Sequence, residues 1–496
     1  MIKKYKNILN PLWRIVMQVL TLILSPITQQ IKTKPVFWMT VFVFAFAVNT
    51  KALISPSGIK VDSVGEQENI KGERLKVFNE AKFGMFIHWG PYAIYGGEYK
   101  DGKKNYAEWI QLQAKIPANE YEKVAAGFNP VKFNADEWVK LARDAGARYI
   151  VITTKHHDGF CMFDTEQTDY NIVDYTPFKR DPIMELAEAC KKNNIKLGLY
   201  YSIVDWHHPE FPEKYAQHGG FHGRPNPNAN IDKYADYEIA QVKELLSKYG
   251  NVFVIWFDGG GAFKGVDKYG LLKGDEMIDA IRTLQPNCLI NNRIGKGDYG
   301  TPEQHIPGEI QDQAFEVCMT IGKHWGYNKF ETKFKSTKDL IRKLVDVSHK
   351  GGNFLLNVGP RPDGVIPEIY QSRMHEMGKW LAVNGTSVYG TKASPFEESP
   401  WGRTTCRILS EKSVRLYLHI FENPTEHTIV VPALTENTKA IKAWLLADKH
   451  KKRLKLTQKM KGGQITINLP KQLSDDIDTV VVLDISNEKT IKNESP

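Results

Sequence analysis

The chain has 496 residues, 42% of them hydrophobic and 25% charged, with a formal net charge of +9. That length exceeds one ordinary core and predicts two domains, or a large barrel with an accessory domain. The basic excess is scattered, with patches at Lys3, Lys4 and Lys6 and across 449–455. No basic stripe with interleaved aromatics appears, which argues against a nucleic-acid-binding protein.

Residues 1–52 read as a signal-like leader. Lys32 and Lys34 precede the short apolar run VFWMTVFVFAFAV (36–48), which ends in small residues. This is the pattern of a secretory signal, too short for a membrane span, and it predicts a secreted or periplasmic protein with no stable span once the leader is removed. The run begins well inside the chain, so the leader is long or the start lies further downstream. A second apolar stretch, RIVMQVLTLIL, lies upstream and is interrupted by Gln18. Membrane anchoring is the competing reading. No cysteine follows the run, so a lipid anchor is unsupported. A polar linker is expected over 55–75.

From residue 82 continuous apolar runs alternate with amphipathic ones. Strands are expected at 82–90, 148–154, 195–202, 251–257, 287–293 and 353–360. Helices are expected at 136–147, 182–194, 234–250, 274–286 and 337–352. Buried strands alternating with helices predict a parallel sheet, and this many units in one run predict a TIM-like (β/α) barrel over 53–388. Near residue 390 the texture changes to short alternating strands, as in SVRLYLHIF, QITINLP and TVVVLDI. These predict a C-terminal antiparallel β-sandwich over 389–486, with a disordered tail over 487–496. The five cysteines (Cys161, Cys190, Cys288, Cys318 and Cys406) form no C-x-x-C pair and sit in apolar segments, so buried, inert thiols are expected.

In a barrel enzyme the chemistry sits at the C-terminal ends of the strands. Those ends here carry His88 and Trp89; Lys155, His156, His157 and Asp158; Tyr200, Tyr201, Asp205 and Trp206; Trp256 and Asp258; Asn291, Asn292 and Arg293; Asn357 and Arg361. Ordinary turns would not repeat His, Trp and Arg in this way. No H-x-x-x-H or H-x-H spacing supports a metal site. Adjacent His156 and His157 would face opposite ways on a strand, and no metal is expected. The glycines of WFDGGGAF match neither phosphate-loop motif. They are expected to leave space beyond Asp258 for a ligand. A nucleophilic serine elbow is absent. The remaining chemistry is glycoside hydrolysis by two carboxyl groups. Asp258 is the natural nucleophile, while Glu98, Glu108, Glu303, Glu309 and Glu316 remain open as the acid.

Taken together, KFGMFIHWGPYA, YIVITTKHHDGFCMFDT, LGLYYSIVDWHHPEF, VIWFDGGG, TPEQHIP, FEVCMTIGKHWGYN and GGNFLLNVGPRPDGVIP resemble the α-L-fucosidases of glycoside hydrolase family 29 over roughly residues 75–390. The resemblance implies a retaining exo-α-L-fucosidase without a cofactor, acting on terminal fucose of a glycan or oligosaccharide. By its motifs Asp258 is the nucleophile and Glu316 looks like the acid/base. It further implies that His88, Glu108, Trp109, His156, His157, Tyr201, Trp256 and Arg293 hold the sugar, with Trp325 beside its methyl group. Asn292 and Phe315 depart from the family pattern next to the catalytic positions. A catalytically silent fucose-binding protein and a hexosidase acting on galactose are the alternatives.

Overall fold

The computed structural model describes residues 64–215 and 223–487. The leader, the start of the linker and the tail beyond Asn487 lie outside them. Seven strands form one sheet: β1 (Phe83–Ile87), β2 (Tyr149–Lys155), β3 (Lys196–Ser202), β4 (Val252–Asp258), β5 (Leu289–Ile290), β6 (Glu316–Thr320) and β7 (Asn353–Val358). Their order is β5-β4-β3-β2-β1-β7-β6, and every pairing is parallel. The two end strands, β5 and β6, do not pair. The segment after β5 spans that seam through parallel bridges, Asn291 to Tyr299, Gly300 to Phe315 and Glu303 to Cys318. The TIM-like ring therefore closes through an irregular stave.

The helices of ten or more residues are α1 (Val64–Ala81), α2 (Ala135–Asp144), α3 (Pro182–Asn193), α4 (Ile231–Lys248), α5 (Gly274–Leu284), α6 (Thr337–His349) and α7 (Glu368–Asn384). Their starts are written locally. Asn134, Asn230 and Ser336 cap α2, α4 and α6 with a side-chain oxygen. Asp181 caps α3 twice, with Pro182 in the first turn.

Strand alternation divides two apolar layers. On β3, Leu197, Leu199 and Tyr201 pack outward with the helices, whereas Tyr200 faces the barrel interior. On β4, Ile255 and Phe257 pack outward, and Val254 and Trp256 inward. Phe78 and Ala81 of α1 join the interior cluster and seal its lower end.

The C-terminal strands are β8 (Gly402–Ser410), β9 (Ser413–Ile420), β10 (Thr428–Val431), β11 (Thr438–Leu445), β12 (Leu456–Gln458), β13 (Ile465–Asn468) and β14 (Thr479–Asn487). They form antiparallel sheets in the orders β11-β14-β9-β8 and β10-β13-β12. Leu416, Leu418, Val481 and Leu483 share a core with Ile465 and Ile467. Tyr417, Val480 and Val482 face the other way and pack with the barrel's outer layer. All five cysteines are buried and free.

The expected linker is corrected in its second half, because α1 begins at Val64. From Lys71 onward, Leu75, Phe78 and Ala81 pack on the interior cluster and Arg74 pairs with Asp298, among many charged residues, too sparse an apolar stripe to read as amphipathic. The sequence also missed α7, β6 as a strand, β11 and β12. The run 287–293 holds only two strand residues, because the chain turns at Asn292–Ile294.

Where α7 crosses α2, a Cβ on Gly378 would lie 1.9 Å from the Asp144 carbonyl oxygen. Gly378→Ala is therefore expected to cost about 1–3 kcal/mol of stability, as overpacking does. A lowered denaturant midpoint with unchanged activity per folded molecule checks it.

Candidate active site

At the C-terminal end of the barrel a cavity of about 200 Å3 is lined by Phe86, His88, Trp109, His156, His157, Trp256, Asp258, Gly259, Gly261, Arg293, Glu303, Cys318 and Trp325. It is smaller than the roughly 300–1,000 Å3 of pockets for drug-sized ligands, and suits one small ring. A larger cavity of about 860 Å3 lies at the other end, against the first residues of β3 and β4. That face of a barrel serves stability, and it gathers no comparable set of histidines and carboxylates.

Asp258 is the last residue of β4, and alternation turns it inward. Its Oδ1 accepts from Arg293 Nη1 at 2.6 Å, and its Oδ2 from the Tyr200 hydroxyl at 2.9 Å. Burial alone would raise its pKa, but Arg293 and His157 more than offset this and hold it at about 2. Arg293 Nη2 donates to Glu303 Oε2 at 2.9 Å, and Nε to Thr301 Oγ1 at 3.0 Å. The guanidinium lies over the Trp256 ring, 4.5 Å from its centroid. One cation thus joins two carboxylates in one pocket.

The histidines are neutral. Burial pushes His88 down to about 3 and His157 to about 4, and lowers His156 well below its usual value. Asn357 donates Nδ2–H to the Trp325 carbonyl at 2.7 Å, so its Oδ1 accepts from His88 Nδ1 at 2.7 Å. Ser202 donates to the Val204 carbonyl at 2.6 Å, so it accepts from His157 Nδ1 at 2.6 Å. Both rings therefore keep Nε2 as an acceptor. His157 Nε2 is 4.0 Å from Asp258 Oδ2. β2 ends at Lys155 and the chain turns, with Gly159 N–H bonded to the His156 carbonyl at 3.0 Å. That turn lets both adjacent histidines line the cavity. Phe86, 5.9 Å from Trp325, and the Trp325 ring supply an apolar wall.

Several expected residues fall elsewhere. Tyr201 points outward and donates to Gln241 Oε1 at 2.8 Å; its neighbour Tyr200 holds Asp258, as the period-2 alternation of β3 requires. Glu316 is the first residue of β6, at the end opposite the rim, and is fully buried beneath Trp256. It does not line the cavity. Glu303, one of the carboxylates the composition left open, does. Glu108 is not among the lining residues; its Oε2 accepts from Gly326 N at 2.8 Å, and burial raises its pKa to about 7. Of the three glycines after Asp258, Gly259 and Gly261 line the cavity, and the surrounding atoms constrain Gly259 and Gly260 as well. Gly259 has φ 90°, and a Cβ there would meet Val204 Cγ2 at 2.7 Å. A Cβ on Gly260 would lie 2.5 Å from the Arg293 carbonyl oxygen, and only Gly261 of the last two lines the cavity. Among the described residues no group of three or more His, Cys, Asp or Glu could hold a metal ion, and no helix is long and apolar enough to cross a membrane.

A family model described as alpha-L-fucosidase matches residues 63–386. The human plasma alpha-L-fucosidase is 32% identical over 335 residues, covering 63% of this chain and 69% of that protein. Alpha-L-fucosidase isoenzyme 1 from Paenibacillus thiaminolyticus superposes with a TM-score of 0.73 at 36% identity, covering 84% of this chain and 99% of that one. A Bacteroides thetaiotaomicron alpha-L-fucosidase of family 29, solved as a trapped covalent intermediate with 2-fluoro-fucosyl fluoride, has a TM-score of 0.74 at 29% identity, covering 83% and 96%. A match of this extent, over a parallel barrel with two carboxylates at its rim, places the chain in the alpha-L-fucosidase family, glycoside hydrolase family 29.

Proposed function

We propose that this protein is a retaining exo-α-L-fucosidase in which Asp258 is the nucleophile and Glu303 the acid/base. The observation that carries the assignment is the bridge of Arg293 between the two carboxylates, 2.6 Å to one and 2.9 Å to the other. A guanidinium bonded to both keeps them close, as retention requires; retaining enzymes place their carboxyls about 5–5.5 Å apart. The covalent intermediate trapped in the Bacteroides relative supports the same double displacement here.

In the first step an Asp258 oxygen attacks the anomeric carbon. The glycosidic C–O bond breaks, and the leaving oxygen takes the proton of Glu303. In the second, Glu303 removes a proton from water as the water oxygen attacks the same carbon and the bond to Asp258 breaks. A carboxylate held at about 2 is ionised and ready at any physiological pH. Neutral His88 and His157 accept from sugar hydroxyls through Nε2. Trp109 and Trp256 enclose the ring, and Phe86 and Trp325 meet the methyl group of a 6-deoxy sugar. A fucosylated glycan, with fucose at its non-reducing end, is the substrate class. The leader pattern supports export to the periplasm or the medium. The change of texture near residue 390 supports a catalytic unit over 53–388 and an accessory sandwich over 389–486.

Azide separates the two roles. Asp258→Gly is expected to lose on the order of 10⁴-fold in kcat, as removal of a nucleophile-step residue can, and with azide to yield β-fucosyl azide. Glu303→Ala is expected to lose about 10²–10⁴-fold on natural glycans but far less on activated aryl fucosides, and with azide to yield α-fucosyl azide. Equal losses on both substrate types, or no α-azide, would sink the assignment of Glu303.

Arg293→Met removes the largest influence opposing burial at Asp258 and leaves only His157, Tyr200 and the Gly259 amide against it. The acid limb of the kcat/KM–pH profile is expected to move up by about 1–3 units. Because the folded-state pKa of Asp258 is depressed, its stabilising contribution is complete above about pH 4 and fades as pH falls towards 2 in the native protein. That part of the acid dependence should vanish in the variant. An unmoved limb would show that Arg293 does not set the charge of Asp258.

A further inference from the structure

One fully buried acid has no part in the steps above. Glu316 opens β6 in the barrel interior, and three rings donate to its carboxyl. The Tyr149 hydroxyl donates to Oε2. Trp256 Nε1 donates to Oε1 at 2.8 Å, and the Tyr299 hydroxyl reaches Oε1 at 3.4 Å. These rings come from β2, from β4 and from the stave that spans the seam. The carboxyl therefore ties together three separate pieces of the barrel.

Two of the ties lead to the pocket. Trp256 is two residues before Asp258 on β4. Its face carries the Arg293 guanidinium at 4.5 Å, and its ring stacks on Tyr200 with centroids 5.6 Å apart and planes 15° apart. Arg293 and Tyr200 both hold oxygens of Asp258. Tyr299 is four residues before Glu303 on the stave. Phe78 packs against its ring at 4.4 Å, and the Glu316 amide donates to the next carbonyl, Gly300, at 2.8 Å. The carboxyl of Glu316 is the common anchor of the nucleophile's support and of the segment that carries the acid.

We propose that Glu316 is a positioning residue that sets the placement of Asp258 and Glu303 relative to one another, through Trp256 and Tyr299. The proposal rests on the reading of Asp258 and Glu303 as the catalytic pair. It gives the F-E-V-C-M-T motif a function other than proton transfer. Burial raises the Glu316 carboxyl to about 7, against the hydrogen bonds of Tyr149, Trp256 and Tyr299. A group in that range beneath the pocket would mimic a general acid in a simple activity assay, so the test must not depend on loss of activity alone.

Two variants order oppositely under the two roles. Glu316→Gln keeps an acceptor at full length for the Trp256 N–H and the Tyr299 hydroxyl, and the Tyr149 hydroxyl can rotate to accept from its amide. Glu316→Asp stays a carboxyl but withdraws the acceptor by one methylene. A positioning role predicts that the Asp variant falls by about 10²-fold in kcat, the scale of a misplacement near 1 Å, while the Gln variant stays nearest the native enzyme. Both keep the native alkaline limb of the pH profile, and neither forms α-fucosyl azide. An acid/base role predicts the reverse order, a lost alkaline limb in the Gln variant and α-fucosyl azide from it, and would overturn the proposal. Lowered melting temperatures with native kcat in both variants would also overturn it, since Glu316 would then only fill the barrel. Glu303→Ala, run alongside, separates this outcome from failure of the parent reading. If it forms no α-azide while the Glu316 variants behave as predicted, the acid lies elsewhere and the anchoring role stands only for Asp258.

Discussion

A single guanidinium spans the two pocket carboxylates, and the top of the barrel is built around keeping it there. Arg293 bonds Asp258, Glu303 and Thr301, and lies over the face of Trp256. Two acids in a mostly buried cavity would repel one another and lose hydration, a penalty that only close pairing offsets. The cation removes both difficulties at once and makes the site's charge balance favour an ionised nucleophile. It also fixes distance, because a planar fork leaves little freedom to the groups on its two ends. The ring beneath completes the support: Trp256 cannot slide while its Nε1 is bonded to Glu316 at 2.8 Å.

The same desolvation that threatens the acids disarms the histidines. Three imidazoles crowd the cavity, with His88 and His156 centroids 5.7 Å apart and His156 and His157 only 4.2 Å apart. Were they charged, they would compete with Arg293 for the carboxylates and oppose one another. Burial keeps them neutral, and the Asn357 and Ser202 oxygens fix two of them in the tautomer that presents Nε2 as an acceptor. An uncharged cavity wall of acceptors and aromatic faces around one ion-paired cluster suits a neutral sugar, whose hydroxyls need partners and whose apolar edge needs a wall.

What could be read from sequence follows from how each feature is encoded. The inner strands are continuous apolar runs, so β1 to β4 and β7 were legible, and with them His88, Trp256 and Asp258, which alternation aims inward. Tyr200 and Tyr201 were not separable, because a one-residue error in register exchanges the two faces of β3. Helix α1 was hidden because three apolar anchors sit among charges. Glu316 drew notice because it stands in a well-marked motif, but motif strength says nothing about which end of a strand a residue occupies. Glu303 also stands in one of those motifs, TPEQHIP, but nothing in the motif marks it as the acid. Its place depends on bridges from the stave to β6, which join residues with no shared periodicity.

That difference in encoding matches a difference in task. Asp258 must meet one carbon of one bound ring, and a buried strand that alternates rigidly is the element that aims a side chain most narrowly. An acid must meet the oxygen that links the sugar to whatever it is attached to, and that oxygen's surroundings change with the glycan. Glu303 stands on an irregular stave at the seam of the barrel, with its side chain 42% exposed, against 20% for Asp258. The ring could have closed with a full eighth strand, and alternation would then have dictated the acid as strictly as the nucleophile. Closing it with a few single bridges instead leaves the acid's backbone free to vary, while Arg293 above and Tyr299 below keep its carboxyl within reach of the nucleophile.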